Sequence, residues 1–422
     1  MPGAAFRNRI GSLYRTLVVL LVVVVSGNPA FTEGARNEPV LLLTACFMVL
    51  SIFKARVWLL TPKFCLISLI FLAILTFQAL SFDFYPVVTV IGFICRLFIA
   101  YAACRVVPDF AKVYVRVMFG VCLVGLAFYL PDQLLHAAGI DFRGIFLPLQ
   151  ELVGVEANYH VLLYNFQAGD YFNKNALFFW EPGAAAGYLL LAVVFLGLDK
   201  KPQRYALYLV VLVGSLLLTM STTGYIVLPF ALLTHYRFDA HDIKKALRSL
   251  LLIFASVTLV MAYVYNVSDL EFMKQKIDKQ LHSALRQEQG WEINRFGTLL
   301  SDWEYIKRRP LLGWGLHENT RYILSADKEL GKGQGNGFSG FIAKFGLLGM
   351  GTFLFFCWTS FYRLSGFSSY QASMAAFTVL LMLNGEAFLN YPLFLSLMFF
   401  GSAHLVPKPW PVWSSNCQPQ TQ

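Results

Sequence analysis

Charge is scarce in this sequence. Only 14% of its 422 residues are Asp, Glu, Lys or Arg, while 57% are hydrophobic. A soluble domain carries closer to a quarter charged residues, so that class is excluded. Cysteine supplies no framework. Cys46, Cys65, Cys95, Cys104, Cys122 and Cys357 lie in or beside apolar runs and Cys417 lies in the C-terminal tail, so the two long polar segments contain none. No Cys/His spacing suits zinc, and no glycine-rich loop follows a strand. Nothing indicates a nucleotide cofactor or a bound metal.

What is present is a series of apolar runs near 20 residues, each able to cross a hydrocarbon core of about 30 Å as a helix. The pattern predicts one all-α polytopic domain over residues 1–422, with about twelve spans. They fall near 16–32, 39–53, 63–82, 85–104, 113–131, 182–198, 204–220, 223–236, 247–265, 338–362, 371–386 and 391–405. The first reads as an anchor, because no small-residue cleavage site follows it.

Basic residues then orient the chain. With the N-terminus inside, the short inner segments hold Arg7, Arg9 and Arg15; Lys54, Arg56 and Lys63; Arg105, Lys112 and Arg116; Lys200, Lys201 and Arg204; Arg237, Lys244, Lys245 and Arg248; and Arg363 and Lys408. Among the short outer loops only Arg36 departs from this bias. Both termini are therefore expected inside. The net charge of +10 is largely an orientation signal and does not imply nucleic acid.

Two longer segments fall outside, over 131–181 and 266–337. The second concentrates eleven Lys and Arg residues between Asn266 and Asn336. Within it, Leu270, Met273, Ile277 and Leu281 share one helical face, and Phe296, Leu299, Leu300 and Trp303 share another, with Asn294 placed to cap. Each amphipathic helix suits the membrane surface or the top of the bundle. Pro310 stops the second, and the glycines of "GWG" (313–315) permit a sharp turn.

At this point the chain resembles a family. "RFGTLLSDWEYIKRRPLLGWGLHEN" (295–319) is similar to the outer loop of the O-antigen polymerase–ligase superfamily, in which an Arg opens a helix ending in a Pro-Leu-x-Gly-x-Gly turn. "GNGFSGFIAKFGLLGMGTF" (335–353) resembles the next helix entry. "FFWEPGAAAGYLLLA" (178–192) resembles the Glu-Pro entry of exopolysaccharide polymerases, and "LLLTMSTTGYIVL" (216–228) the Thr-x-Ser-x-x-Gly turn between two spans. The matches keep the family order over roughly the C-terminal 60% of the chain.

The resemblance implies a fold similar to membrane-embedded GT-C-type glycosyltransferases, with a large helical periplasmic loop. It implies an inverting, metal-independent, cofactor-free transfer of a glycan from undecaprenyl pyrophosphate to an acceptor sugar hydroxyl. The site would face the periplasm at the bacterial inner membrane. The implied partners are the lipid-linked oligosaccharide donor and acceptor, the bilayer, and a polysaccharide chain-length regulator and flippase. Surface polysaccharide polymerase is the first reading. O-antigen ligase is the near alternative, and a lipid-linked sugar flippase or transporter the distant one. Ligases of the family place a histidine directly before the Asn of the helix entry; Gly335 stands there here, which argues for the polymerase. A transporter should show matching halves with charged or broken helices at mid-membrane, and none are visible.

The expected chemistry needs cations for a lipid pyrophosphate leaving group and a base for the acceptor hydroxyl. Arg295 matches the family's helix-opening arginine and is the leading catalytic cation. Arg308 and Arg309 offer bidentate phosphate contacts, although Glu304 lies one helical turn before Arg308 and offers it an ordinary ion pair. Lys344, about two turns into its span, and Arg96, near the middle of the fourth, are further binding candidates, with Asn336, Thr222 and Thr223. The family's arginine in the Ser-Thr turn is replaced by Thr222, and the turn's hydroxyls also suit a helix cap. The base stays open among Glu181, Glu386, His317 and His160. Glu181 precedes Pro182 and equally suits a helix N-terminus. Tyr159, Tyr164, Tyr171, Trp180 and Trp291 suit sugar stacking or interface anchoring.

Overall fold

A computed structural model describes residues 2–32, 37–55, 57, 60–146, 148, 159–160, 162–167, 169, 172–198, 203–236, 251, 295–321 and 336–400. The fold is all-α and multi-pass. The helices are α1 (Pro2–Gly27), α2 (Asn37–Ala55), α3 (Pro62–Phe82), α4 (Val87–Val106), α5 (Phe110–Ala137), α6 (Pro182–Leu198), α7 (Tyr205–Leu217), α8 (Thr222–Leu233), α9 (Arg295–Arg308), α10 (Gly337–Leu364) and α11 (Ser369–Met382). Among the described residues, α2, α3, α4, α5 and α10 are long and apolar enough to cross a membrane, and 11–27, α6, α7 and α8 are shorter apolar helices. The predicted span 247–265 and the amphipathic stretch around 270–281 lie outside the described residues.

Helix starts follow local chemistry. Thr61 caps α3 by accepting from Phe64 N at 3.3 Å, and Pro62 supplies the fixed φ of a first helical position. Ser221 caps α8 through Gly224 N, and Ser368 caps α11 through Gln371 N. The apolar character of α6 runs all round it, and almost every one of its residues is buried between α5, α7, α8 and α11.

The last predicted span, 391–405, is not one helix. Residues 388–400 form three short helical turns, Phe388–Asn390, Pro392–Leu395 and Ser396–Met398. Leu393 through Phe400 are buried at 3% exposure or less. Phe394 packs on Tyr188 toward one end of α6, and Phe400 on Phe195 toward the other. Broken backbone at membrane depth is tolerated where protein surrounds it. Here Ser26 Oγ of α1 accepts from Leu393 N at 3.0 Å, and Tyr188 OH of α6 holds Ser26 O in turn.

The helix ends sort into two sets. At one end Lys63 meets Ser360, Asp109 faces Arg15 and Arg116, Lys54 lies over Tyr14, and Gln371 Nε2 donates to Thr234 O at 2.6 Å. The opposite end gathers the C-terminal turns of α3 and α11 and the starts of α6, α8 and α10.

The segment after α5 folds onto that second end. A two-stranded antiparallel hairpin pairs Tyr159 with Phe166 and His160 with Asn165. Arg143 grips Asp132 through two bonds, Nε to Oδ1 at 2.9 Å and Nη2 to Oδ2 at 2.6 Å, while its guanidinium stacks 3.7 Å from the Phe172 ring. Asn165 Nδ2 donates to Phe179 O at 2.7 Å and Trp180 O at 3.2 Å, pinning the hairpin to the chain entering α6.

Candidate active site

Helix α10 is interrupted at Gly346, whose φ of 69° and ψ of −177° belong to glycine. The interruption is filled by the turn after α9. In a continuous helix Leu347 N and Leu348 N would bond to Ala343 O and Lys344 O. They bond instead to Pro310 O at 2.7 Å and Leu311 O at 3.2 Å. The vacated carbonyls are taken up by the turn, Trp314 N to Ala343 O at 2.8 Å and Gly315 N to Lys344 O at 3.0 Å. Gln78, from α3, closes the joint by donating to Leu312 O and, at 2.8 Å, to Lys344 O. Gly313 and Gly315 have φ of 67° and 96°, and a Cβ on Gly313 would lie 2.6 Å from Lys344 O. The glycine turn is therefore a backbone splice into α10.

The splice orders the residues before it. Asn336 caps α10 by accepting from Ser339 N at 3.0 Å, and Ser339 Oγ donates to buried Asp302 of α9 at 2.6 Å. Beside this start lies a small cleft lined by Asn336, Gly337, Gly340, Phe341, Lys344, Ala387, Leu389 and Asn390. Lys344 is 6% exposed, and its Nζ donates to Asn390 Oδ1 at 3.2 Å. That bond fixes the amide so that Asn390 Nδ2 is the donor on its other side. An ammonium, an amide donor and a helix N-terminus thus bring positive potential to one cleft.

Several predicted residues gather around the 384–391 loop that forms one wall. Gly337 packs so closely on Glu386 that a Cβ would sit 2.0 Å from the Glu386 carbonyl. Thr223 Cγ2 lies 3.0 Å from where a Cβ on Gly385 would be. Thr222 opens α8 beside it, and Ser221 supplies the helix cap, as the capping alternative for this turn expected. Glu181 precedes α6, with its carbonyl accepting from Ala185 N at 3.1 Å, and its neighbour Trp180 packs on Tyr391 at 5.0 Å. Arg96 folds back along α4 over Gly92 and lies within electrostatic range of Tyr391 and Glu38.

Others lie apart from the cleft. Arg309 stacks over the Phe82 ring at 4.1 Å and the Trp314 ring at 5.1 Å, bracing the splice. Arg308 is exposed at the end of α9. The Glu304 ion pair goes to Lys307 at 2.9 Å rather than to Arg308, and Lys307 holds the Glu304 carboxyl below its usual range. His317 Nδ1 accepts from Asn319 N at 3.1 Å, and its ring packs 4.8 Å from Phe84. Arg295 opens α9 as expected, but its side chain, like those of Tyr159 and His160, is outside the described residues, as are Tyr171 and Trp291. Tyr164 is buried against Phe128 and Phe166, not presented to a ligand.

Sequence reasoning missed Asn390, Gln78 and Asp302. Gln78 alone carried a signal, as an uncharged polar side chain near the end of a span. Among the described residues, no three His, Cys, Asp or Glu side chains converge.

Fold and cleft together define a multi-pass helical membrane protein with a cation-bearing cleft at one end of its bundle. The O-antigen ligase family model matches residues 207–354, from α7 through the splice to the middle of α10. Over that segment, about a third of its length, the chain is similar to the O-antigen ligase family, whose members are membrane enzymes that transfer glycans. No curated protein matches the chain.

Proposed function

We propose that this protein is a surface-polysaccharide polymerase that joins undecaprenyl-pyrophosphate-linked repeat units at the periplasmic face of the bacterial inner membrane. One observation carries the reading: buried Lys344 lines a cleft at the start of α10, within the segment matched to the family. The pyrophosphate gains charge as the glycosidic bond breaks, and fixed cations in a water-poor cleft stabilise that charge without reorganising. Lys344 and Asn390 would meet the leaving oxygens from inside the bundle and Arg295 from the outer loop, in place of a metal. Glu386, next to Ala387 of the cleft wall, and Glu181, at the start of α6, are the candidate bases for the acceptor hydroxyl. Gly335 before Asn336 favours polymerase over ligase, because the family's ligases place histidine there.

Deleting the gene and running the lipid-linked glycans on a gel tests the assignment. A single attached repeat supports the polymerase. Accumulated free polymer would make the protein a ligase, and repeats trapped on the inner leaflet a flippase.

The orientation has its own test. Both long segments should lie outside, and 266–337 is the more basic of the two. A cysteine placed near Leu330 should react with an impermeant maleimide in intact cells. Labelling only after permeabilisation would invert the topology and remove the cleft from its proposed substrate.

Arg295 separates charge from shape. Arg295→Ala should abolish polymer while leaving the protein inserted, and Arg295→Lys should recover part of the activity, because the planar guanidinium holds two phosphate oxygens at once. The loss should fall on turnover rather than on KM. Glu181→Gln keeps the shape and removes the proton acceptor. Wild-type chain length from both Arg295→Ala and Glu181→Gln would move the chemistry to Glu386 and Lys344.

A further inference from the structure

The end of the bundle away from the cleft carries a second cationic spot. Lys63 stands in the first turn of α3, and its Nζ donates to buried Ser360 Oγ on α10 at 3.2 Å. The Phe356 ring lies 5.5 Å from the same ammonium. Arg363, three residues beyond Ser360, is within electrostatic range of Lys63. Two cations from antiparallel helices therefore lie at the same end of the bundle within electrostatic range of each other, and among the described residues neither forms an ion pair with a carboxylate. The described carboxylate at this end, Asp109, faces Arg15 at 3.5 Å and Arg116 at 3.9 Å. The N-terminus of α3 adds further positive potential. An ammonium held beside a guanidinium and a helix N-terminus is unfavourable alone, and an anion seated between them reverses the sign.

The surroundings select the kind of anion. Lys63, Leu66 and Ile70 form one stripe on α3, and Phe356, Ser360 and Arg363 form one on α10. Leu66 is half exposed, and Ile70 and Phe356 are partly buried. Along both stripes the polar groups sit at the bundle's end and the apolar ones toward its middle. A ligand following them has an anionic head and a hydrocarbon tail. The spot lies about 22 Å along α3 from Gln78 at the splice, from the rise of 1.5 Å per residue, so it is separate from the glycan site.

We propose that Lys63, Ser360 and Arg363 bind the phosphodiester headgroup of an anionic phospholipid, with an acyl chain in the groove between α3 and α10. Native mass spectrometry of the full-length protein, incubated in neutral detergent with equal phosphatidylglycerol and phosphatidylcholine, tests this directly. Wild-type protein should retain phosphatidylglycerol preferentially. Lys63→Gln with Arg363→Gln should lower that preference roughly tenfold, because each basic group near a membrane surface contributes separately to anionic lipid binding. Lys63→Arg should keep it, and single Lys63→Gln should show part of the loss if the double variant is poorly folded. Arg15→Gln, at the same end but ion-paired, should change nothing. Equal retention of the two lipids by wild-type protein, an unaltered preference in the Gln variants, or an equal loss in Arg15→Gln would overturn the site. Displacement of the lipid by inorganic phosphate would overturn the lipid assignment, since the spot would then take a free anion.

Discussion

Replacing Gly346 by alanine is expected to abolish glycan transfer and to lower the melting temperature of the purified protein. At φ 69° and ψ −177° the residue occupies backbone space that is open in practice to glycine alone. A Cβ there would lie 2.0 Å from Leu311 O and 2.5 Å from Leu312 N, both backbone atoms of the turn spliced into α10. The protein has two ways to respond, and both are costly. It can keep the splice and carry the strain. Otherwise α10 straightens, Leu347 N and Leu348 N return to Ala343 O and Lys344 O, and Pro310 O, Leu311 O and the buried Trp314 N and Gly315 N lose their partners. The loss should be on the order of 3 kcal/mol. Gly351→Ala, in the same helix, is the control: nothing lies within 4 Å of its Cβ position, so the substitution should be neutral or mildly stabilising. Equal melting temperatures for Gly346→Ala and wild type would show that the splice contributes little.

The splice also shows what the sequence could not reveal. "RRPLLGWG" (308–315) reads as a helix stop followed by a flexible turn, and that much is what forms. Its partner is invisible, because "AKFGLLGMG" (343–351) has the composition of an uninterrupted apolar helix and long-range backbone exchange leaves no periodic mark. Arg309 reads as a phosphate ligand from its charge alone, while its stacking on Phe82 depends on a residue more than two hundred positions away. The run 391–405 matches a membrane span by hydropathy, since a broken segment buried in protein and a helix facing lipid need the same apolar residues. By contrast, the sorting of helix ends follows from placement of Lys and Arg, which is a local property, and Lys63, Arg15 and Arg116 meet their partners at one common end of the bundle. Lys344, Asn336, Glu386 and Thr223 were legible one by one, because polar residues at span entries are few. Their convergence was not legible, because it depends on how α8, α10 and the 384–391 loop pack.

Lys344→Met is the sharpest test of the cleft. Methionine keeps the length and apolar stem of lysine, so the buried side chain still fills its place beside Phe341 and Leu389. What is removed is the ammonium and its 3.2 Å bond to Asn390 Oδ1. A lost hydrogen bond of this kind costs on the order of 1–2 kcal/mol, so the variant should remain folded and inserted with a modest drop in melting temperature. Transfer should suffer far more. If Lys344 meets the pyrophosphate as the bond breaks, its removal should slow turnover by roughly a hundredfold or more, the scale seen when one fixed transition-state donor is deleted. Polymer should collapse to the shortest lipid-linked species, while donor binding weakens less. Lys344→Arg adds a second distinction. It keeps the charge, but the larger planar group must fit a small cleft whose Asn390 is set to accept from an ammonium, so recovery should be partial. Asn390→Ala should fall between wild type and Lys344→Met, because it leaves the charge in place but frees it to move. Full-length polymer from Lys344→Met would mean that the ammonium has a structural role, and the anion would then have to be met by the cations of the outer loop alone.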